Sequence, residues 1–340
     1  MAVAAARLLK LAPLPSLCSL RSSAIATISA SQSQFSSTNP KSKRIMTSSS
    51  SSNGKVIDSH LHVWASPQEA AANYPYFPGQ EPTLTGHFDF LLQCMEEAGV
   101  DGALIVQPIN HKFDHSYVTS VINKYPNKFV GCCLANPEED GSGIQQLEHL
   151  VTKDGYSAVR FNPYLWPSGQ KMTNEVGKAL FSTAGKLGVP VGFMCMKGLS
   201  LHVEEIKELC TEFPSTIVLL DHLGFCKPPE NEEDSLAISQ LLELASFPQI
   251  HVKFSALFRI SRMPFPYQDL SHLLSQVVSS FGANRIMWGS DFPFVIPECG
   301  YKGAIKAVSV IANEVSLSPT ELEWIRGKTI THLFQNRWIS

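Results

Sequence analysis

From residue 55 onward, short β-branched or apolar runs that end in polar residues alternate with amphipathic stretches of about ten to fifteen residues. The runs are Val56–His62, Ala103–Pro108, Phe129–Ala135, Ala158–Asn162, Val189–Met196, Ile217–His222, Ile250–Ser255 and Arg285–Ser290, and each predicts a buried strand. Between them the spacing predicts helices over Phe88–Ala98, Ser116–Lys124, Ile144–Thr152, Val176–Leu187, His202–Phe213, Ser235–Ser246, Tyr267–Phe281 and Gly303–Glu314. In the first, Phe88, Leu91, Leu92 and Met95 recur at i, i+3, i+4 and i+7, one face of a helix. Gly99, Gly155, Gly188 and Gly282 fall near predicted helix ends, where a left-handed cap favours glycine.

Strand–helix alternation with right-handed crossovers gives a parallel α/β sheet. Eight units match the length of a (β/α)8 TIM barrel, about 250 residues. A doubly wound sheet is the other arrangement, but it calls for a glycine-rich phosphate loop, and neither G-x-G-x-x-G nor G-x-x-x-x-G-K-[ST] occurs. After the eighth unit, Ser318–Gly327 and Thr329–Gln335 read as terminal helices, with Ser318 as cap and Pro319 in the first turn. Residues 55–340 are therefore expected to form one domain, a barrel with C-terminal helices.

Residues 1–54 differ in kind. They hold six basic residues, 15 serines and no Asp or Glu, the first acid being Asp58. That composition is expected of a disordered organellar transit peptide, with a plain flexible tail as the alternative. The Ala- and Ser-rich opening leans toward the chloroplast over the mitochondrion, and initiation at Met46 would give a cytosolic product. Without the leader, 21 basic and 30 acidic side chains remain, an acidic chain ill suited to binding nucleic acid. No run of 18 apolar residues is present to span a membrane. Eight scattered cysteines with no C-x-x-C pair predict free, mostly buried thiols. A small-molecule substrate is expected, and the oligomeric state, a homo-oligomer included, stays open.

In such a barrel, chemistry sits at the C-terminal ends of the strands. Those ends read Asp58-Ser59-His60-Leu61-His62, Arg160-Phe161-Asn162, Asp221-His222-Leu223-Gly224, Lys253-Phe254-Ser255 and Ser290-Asp291. His60 and His62 stand two apart on a strand, so both rings face one side, the interior at the barrel mouth. Two such histidines hold a metal or polarise a carbonyl. Arg160 offers a fork for a carboxylate or vicinal hydroxyls, with Asn162 beside it. Tyr74 belongs to the segment Asn73-Tyr74-Pro75-Tyr76-Phe77-Pro78-Gly79, which reads as a lid or as an ordinary packed loop. Trp64 and Trp166 are candidates for lining a ring face. Cys195, in a Met-Cys-Met run, reads as core rather than as a zinc ligand.

This constellation resembles the amidohydrolase superfamily, in its amidohydrolase-2 branch. The match is sharpest in Val218-Leu219-Leu220-Asp221-His222-Leu223-Gly224, Val252-Lys253-Phe254-Ser255 and Arg285-Ile286-Met287-Trp288-Gly289-Ser290-Asp291-Phe292-Pro293. These segments look like the group that holds 2-pyrone-4,6-dicarboxylate lactonase and the sugar lactonases. The resemblance implies a lactone hydrolase in which Asp291 activates water while His60, His62 and His222 steady the carbonyl oxygen. It implies that Arg259, in a segment like the lactonase carboxylate-binding loop, anchors substrate, and that His111, in a His/Asp-containing loop, rims the pocket. One divalent metal, zinc or manganese, on His60, His62 and Asp291 is one expectation, and metal-free catalysis is equally open. The sequence departs from metal-rich members at strand 5, which ends Phe193-Met194-Cys195-Met196 without histidine. The alternative activity is a metal-dependent non-oxidative decarboxylase of an aromatic or muconate-type acid. A non-catalytic binding barrel and phosphodiesterase or deaminase chemistry fit the residues less well.

Overall fold

The structure, a computed structural model, describes residues 54–335, 337 and 338. Apart from Gly54, the leader read into residues 1–54 lies outside the described residues. Eight strands pair side by side in chain order, each parallel to the next. They are β1 (Ile57–Leu61), β2 (Gly102–Val106), β3 (Phe129–Leu134), β4 (Ala158–Phe161), β5 (Val191–Phe193), β6 (Val218–Leu220), β7 (Ile250–Ser255) and β8 (Ile286–Gly289). The ring is joined at its ends by two backbone bonds. The Asp291 amide donates to the His60 carbonyl at 2.8 Å, and the His62 amide donates to the Phe292 carbonyl at 2.7 Å. This is the TIM barrel that the alternation predicts.

Period-2 alternation sorts the strand residues into two cores. Ile57, Leu104, Val106, Val130, Cys132, Ala158, Leu219 and Met287 fill the barrel interior, which Ile330, Phe334 and Trp338 close off at its lower end. The alternate positions, such as Ile105, Val159, Phe193 and Trp288, face outward and pack under the helices, and an irregularity in β1 between Asp58 and Leu61 places Leu61 with them rather than with Ile57. Each fully buried Leu, Ile or Val side chain contributes roughly 1.5–3 kcal/mol of transfer free energy, so the scaffold beneath the site is stiff. The terminal helices fit against β1 closely: a Cβ on Gly327 would lie 1.9 Å from the Lys55 carbonyl, so only glycine fits there. Among the described residues, no helix is long and apolar enough to cross a membrane. The seven described cysteines are free, and five of them are buried.

Several expected boundaries move by a few residues; strand 5, for one, shrinks from Val189–Met196 to Val191–Phe193, and two shifts have clear local causes. The helix predicted from Ser235 begins at Glu232, because the Asn231 side chain accepts the Asp234 amide at 2.9 Å and caps it. The strand predicted to run through His222 stops at Leu220, because His222, Leu223, Gly224 and Phe225 all adopt left-handed backbone, with φ from 52° to 64°. Left-handed conformation at a non-glycine residue costs roughly 1–2 kcal/mol, and β-ladders do not accommodate it. The turn takes the backbone out of the sheet while keeping the His222 ring at the mouth.

Candidate active site

Polar and charged side chains gather where the strands end. Gly289 on β8 makes room for them, since a Cβ there would lie 2.9 Å from His60 Cβ and 3.0 Å from Ser255 Cβ. The β1–β8 seam is fixed by Asp58. Its Oδ1 accepts the Ser290 amide at 2.9 Å and the His60 amide at 3.0 Å, and its Oδ2 accepts the Tyr301 hydroxyl at 2.9 Å. Burial pushes this carboxyl up to about 6 against those bonds.

His60 is fully buried. Its Nδ1 lies 3.2 Å from Asp221 Oδ1 and 3.2 Å from Lys253 Nζ, and those two charges are themselves 2.9 Å apart. Burial favours a protonated Asp221, but the Lys253 ammonium and His60 overcome it and hold the carboxyl well below the ordinary range. Burial holds the His60 ring neutral, with Lys253 and His222 adding to the effect of desolvation. His60 Nε2 has no hydrogen-bond partner. It faces Asp291 Oδ1 at 3.9 Å, and His62 Nε2 lies 3.5 Å from the same oxygen. His62 Nδ1 donates to the Val106 carbonyl at 2.8 Å, a bond that turns Nε2 toward Asp291.

Asp291 sits in left-handed backbone, φ 63°. Burial works to raise its pKa, but the His62 bond, His222 and the Arg259 guanidinium hold it below the usual carboxylate range. Arg259 Nε donates to Oδ2 at 2.7 Å, which leaves Oδ1 for the histidine side. The His222 ring lies 4.4 Å from that of His60, and its Nδ1 is 2.8 Å from the Ser255 hydroxyl. Burial lowers its pKa to about 4, so the ring is neutral at physiological pH.

These groups form one end of a cavity of about 680 Å³, walled by Trp64, Phe77, Tyr164, Phe225 and Phe294 among others. His62, His222, Asp291, Arg160, Asn162 and Arg259 all line it. Arg160 Nη2 donates to the Gln107 carbonyl at 3.3 Å, and its Nη1 lies 3.9 Å from Asp221 Oδ2. Asn162 Oδ1 accepts the Tyr164 amide at 3.1 Å. Phe77 and Gln80 come from the aromatic, Pro-rich insertion and its flank, so part of that segment does cover the cavity.

Two expected site residues stand elsewhere. His111 is buried, with Nδ1 3.1 Å from the Pro75 carbonyl and Nε2 accepting the Ala65 amide at 3.3 Å, and its ring stacks on Tyr117. Tyr74 meets Tyr117 edge-on at 5.2 Å. Neither lines the cavity; together they brace the insertion from behind. Trp166 packs on Phe161 in the same way. Conversely, Asp221 and Lys253 join the site without a role expected from sequence, although a charged residue at the inward end of a buried strand is the signal that marks them.

His60 Nε2, His62 Nε2 and an Asp291 carboxylate oxygen lie within 4.8 Å of one another. An orphaned buried Nε2, a second Nε2 turned toward Asp291 from behind, and an ionised carboxylate make a donor set that suits one divalent cation.

The chain belongs to the amidohydrolase family, whose model matches residues 57–335. It is 31% identical over 254 residues to an L-fucono-1,5-lactonase of Burkholderia ambifaria, covering 70% of this chain and 80% of that protein. It is 25% identical over 244 residues to a 4-sulfomuconolactone hydrolase of Hydrogenophaga intermedia, covering 69% of this chain and 74% of that protein. In fold it is similar to an amidohydrolase from Burkholderia multivorans solved with bound zinc, with a TM-score of 0.64 and 18% identity over 83% of this chain and 99% of that one.

Proposed function

We propose that the protein opens the ring of a lactone by attack of water that Asp291 deprotonates. The observation that carries this reading is the convergence of an ionised, buried Asp291 with His62 and His222 at the floor of one cavity, with His60 fully buried against them. Curated relatives that are lactone hydrolases by name support it.

Asp291 is ionised throughout the physiological range, so it accepts the water proton without prior activation. Its basicity is low while Arg259 and His62 hold it, so the larger share of the barrier falls to polarisation of the carbonyl. The Ser255 hydroxyl, 2.8 Å from His222 Nδ1, orients the ring and leaves Nε2 for the oxygen on which charge develops. His60 Nε2 and His62 Nε2 both face Asp291 Oδ1, an arrangement that suits the three groups to hold a cation between them. A divalent ion on His60, His62 and Asp291, zinc or manganese, would supply Lewis acidity toward the carbonyl and lower the pKa of water. Asp291 then returns its proton to the departing ring oxygen. Arg160 and Asn162 position the substrate from β4. The acid-free leader supports delivery to the chloroplast, and the N-terminal sequence of the protein purified from its native tissue tests that.

The test is acid release from a panel of sugar lactones and pyrone carboxylates, followed with a pH indicator. Asp291→Asn is expected to lose roughly 10²–10⁴-fold in kcat with an unchanged circular dichroism spectrum. Metal analysis of the same two samples reads the cation site separately, and bound metal should fall in the variant. Turnover at the wild-type rate in Asp291→Asn would overturn the role of Asp291.

A further inference from the structure

Resting on the hydrolase reading, we infer that the cavity rim holds an anion subsite formed by Lys112 and Lys197, so that the lactone carries a carboxylate remote from its reacting carbonyl. Four cationic side chains line the cavity, Arg160, Arg259, Lys112 and Lys197, against a single lining carboxylate, Asp291. The two arginines are engaged at the floor, Arg259 with Asp291 and Arg160 with Gln107 and Asp221. The two lysines are not. Lys112 Nζ sits over the rings of Phe77 at 4.4 Å and Phe113 at 5.1 Å, and Lys197 Nζ over Tyr164 at 4.8 Å; no carboxylate of the described residues pairs with either.

Both positions are held by the backbone. The Gln107 side-chain amide donates to the Lys112 carbonyl at 3.1 Å, and Lys112 adopts φ 47°. The Lys197 amide donates to the Tyr164 hydroxyl at 2.7 Å. The lysines follow β2 and β5, three strands apart around the mouth, so they approach an occupant from different sides. The chain as a whole is acidic, net −3. A cationic mouth on an acidic surface concentrates the field there and steers anions toward the floor. An ammonium over an aromatic face keeps its charge and most of its donors, so it binds a carboxylate without first breaking an ion pair. A neutral sugar ring would use none of this.

The experiment compares matched substrates with and without remote carboxylates: D-glucaro-1,4-lactone with D-glucono-1,4-lactone, and 2-pyrone-4,6-dicarboxylate with 2-pyrone. The full-length protein should show the higher kcat/KM for the anionic member of whichever pair it hydrolyses, with a ratio that shrinks as salt is added. Each Lys→Ala change should raise KM for the anionic member by roughly two- to fivefold, the scale of one exposed ion pair. Lys112→Glu with Lys197→Glu should reverse the preference. A ratio near one in the wild type, or one that the variants leave in place, overturns the subsite while the hydrolase reading stands. If no lactone is opened, the hydrolase reading fails and the subsite is read by calorimetry with D-glucarate and D-gluconate. Tighter binding of D-glucarate that the double variant abolishes supports it, and equal binding overturns it.

Discussion

Lys253→Met is the perturbation that most directly tests the charged floor of the site. Neither Lys253 nor Asp221 is more than 1% exposed, and they stand 2.9 Å apart. At an effective dielectric of about 20, such a pair attracts by about 6 kcal/mol. Methionine keeps the length and most of the volume of lysine and removes the charge. Asp221 would retain His60 Nδ1 at 3.2 Å and Arg160 at 3.9 Å, and it can take up a proton, so part of the loss is recovered. The net cost is expected at about 3–5 kcal/mol, the range for removing one partner of a buried pair. Asp221→Asn leaves Lys253 stranded and should cost a similar amount. Combining the two removes both charges, so the double variant should be more stable than the summed losses imply by about 2–3 kcal/mol. Urea unfolding of the four proteins, followed by tryptophan fluorescence, measures this cycle. Losses that simply add, or a Lys253→Met variant within about 1 kcal/mol of wild type, would refute the claim that the pair is one electrostatic unit.

Two further predictions concern other parts of the frame. Burial lowers the His115 pKa to about 4, against its bond to the Phe113 carbonyl and the charge of Asp114, so the unfolded chain binds a proton that the folded chain refuses. Its contribution is complete above the unfolded value of about 6.5 and is lost as pH falls toward 4, by up to about 3 kcal/mol. The loss in urea midpoint between pH 7.5 and pH 5 should therefore be smaller in His115→Gln than in wild type, and an equal loss would contradict it. Gly289→Ala places a methyl group 2.9 Å from both Cβ and the backbone nitrogen of His60, so β1 must shift there and carry the ring with it. Roughly tenfold or more should be lost from kcat while the barrel stays folded, because misplacement by an ångström can cost on the order of 10²-fold; unaltered kcat would show that the His60 position does not matter.

Much of this molecule was legible in the chain because repetition amplifies weak signals. One apolar run is ambiguous, but eight that alternate with amphipathic stretches leave few topologies. The meeting of His60, His62 and Asp291 was legible because a period-2 pair on the first strand and an acid after the last face the same interior. His111 and Tyr74 failed for the opposite reason. They lie in loops, where no period ties sequence position to direction, and their aromatic neighbours turned them away from the cavity. The left-handed run at His222–Phe225 was illegible as well, since only one of its four residues is glycine. Lys253 and Asp221 stand at the right positions, but each acquires its role from a partner 32 residues away in sequence, which no local pattern shows.

The Asp58 staple has a consequence for assembly. His60 and His62 are made early in the chain and Asp291 near its end, and the bonds from Ser290 to Asp58 and from Asp291 to His60 join them across the seam. Neither half of the polypeptide, synthesised alone, contains a working set of groups. Catalytic competence therefore reports ring closure itself. Two inactive fragments that find each other and complete the barrel would regain activity only as fast as that last seam can form.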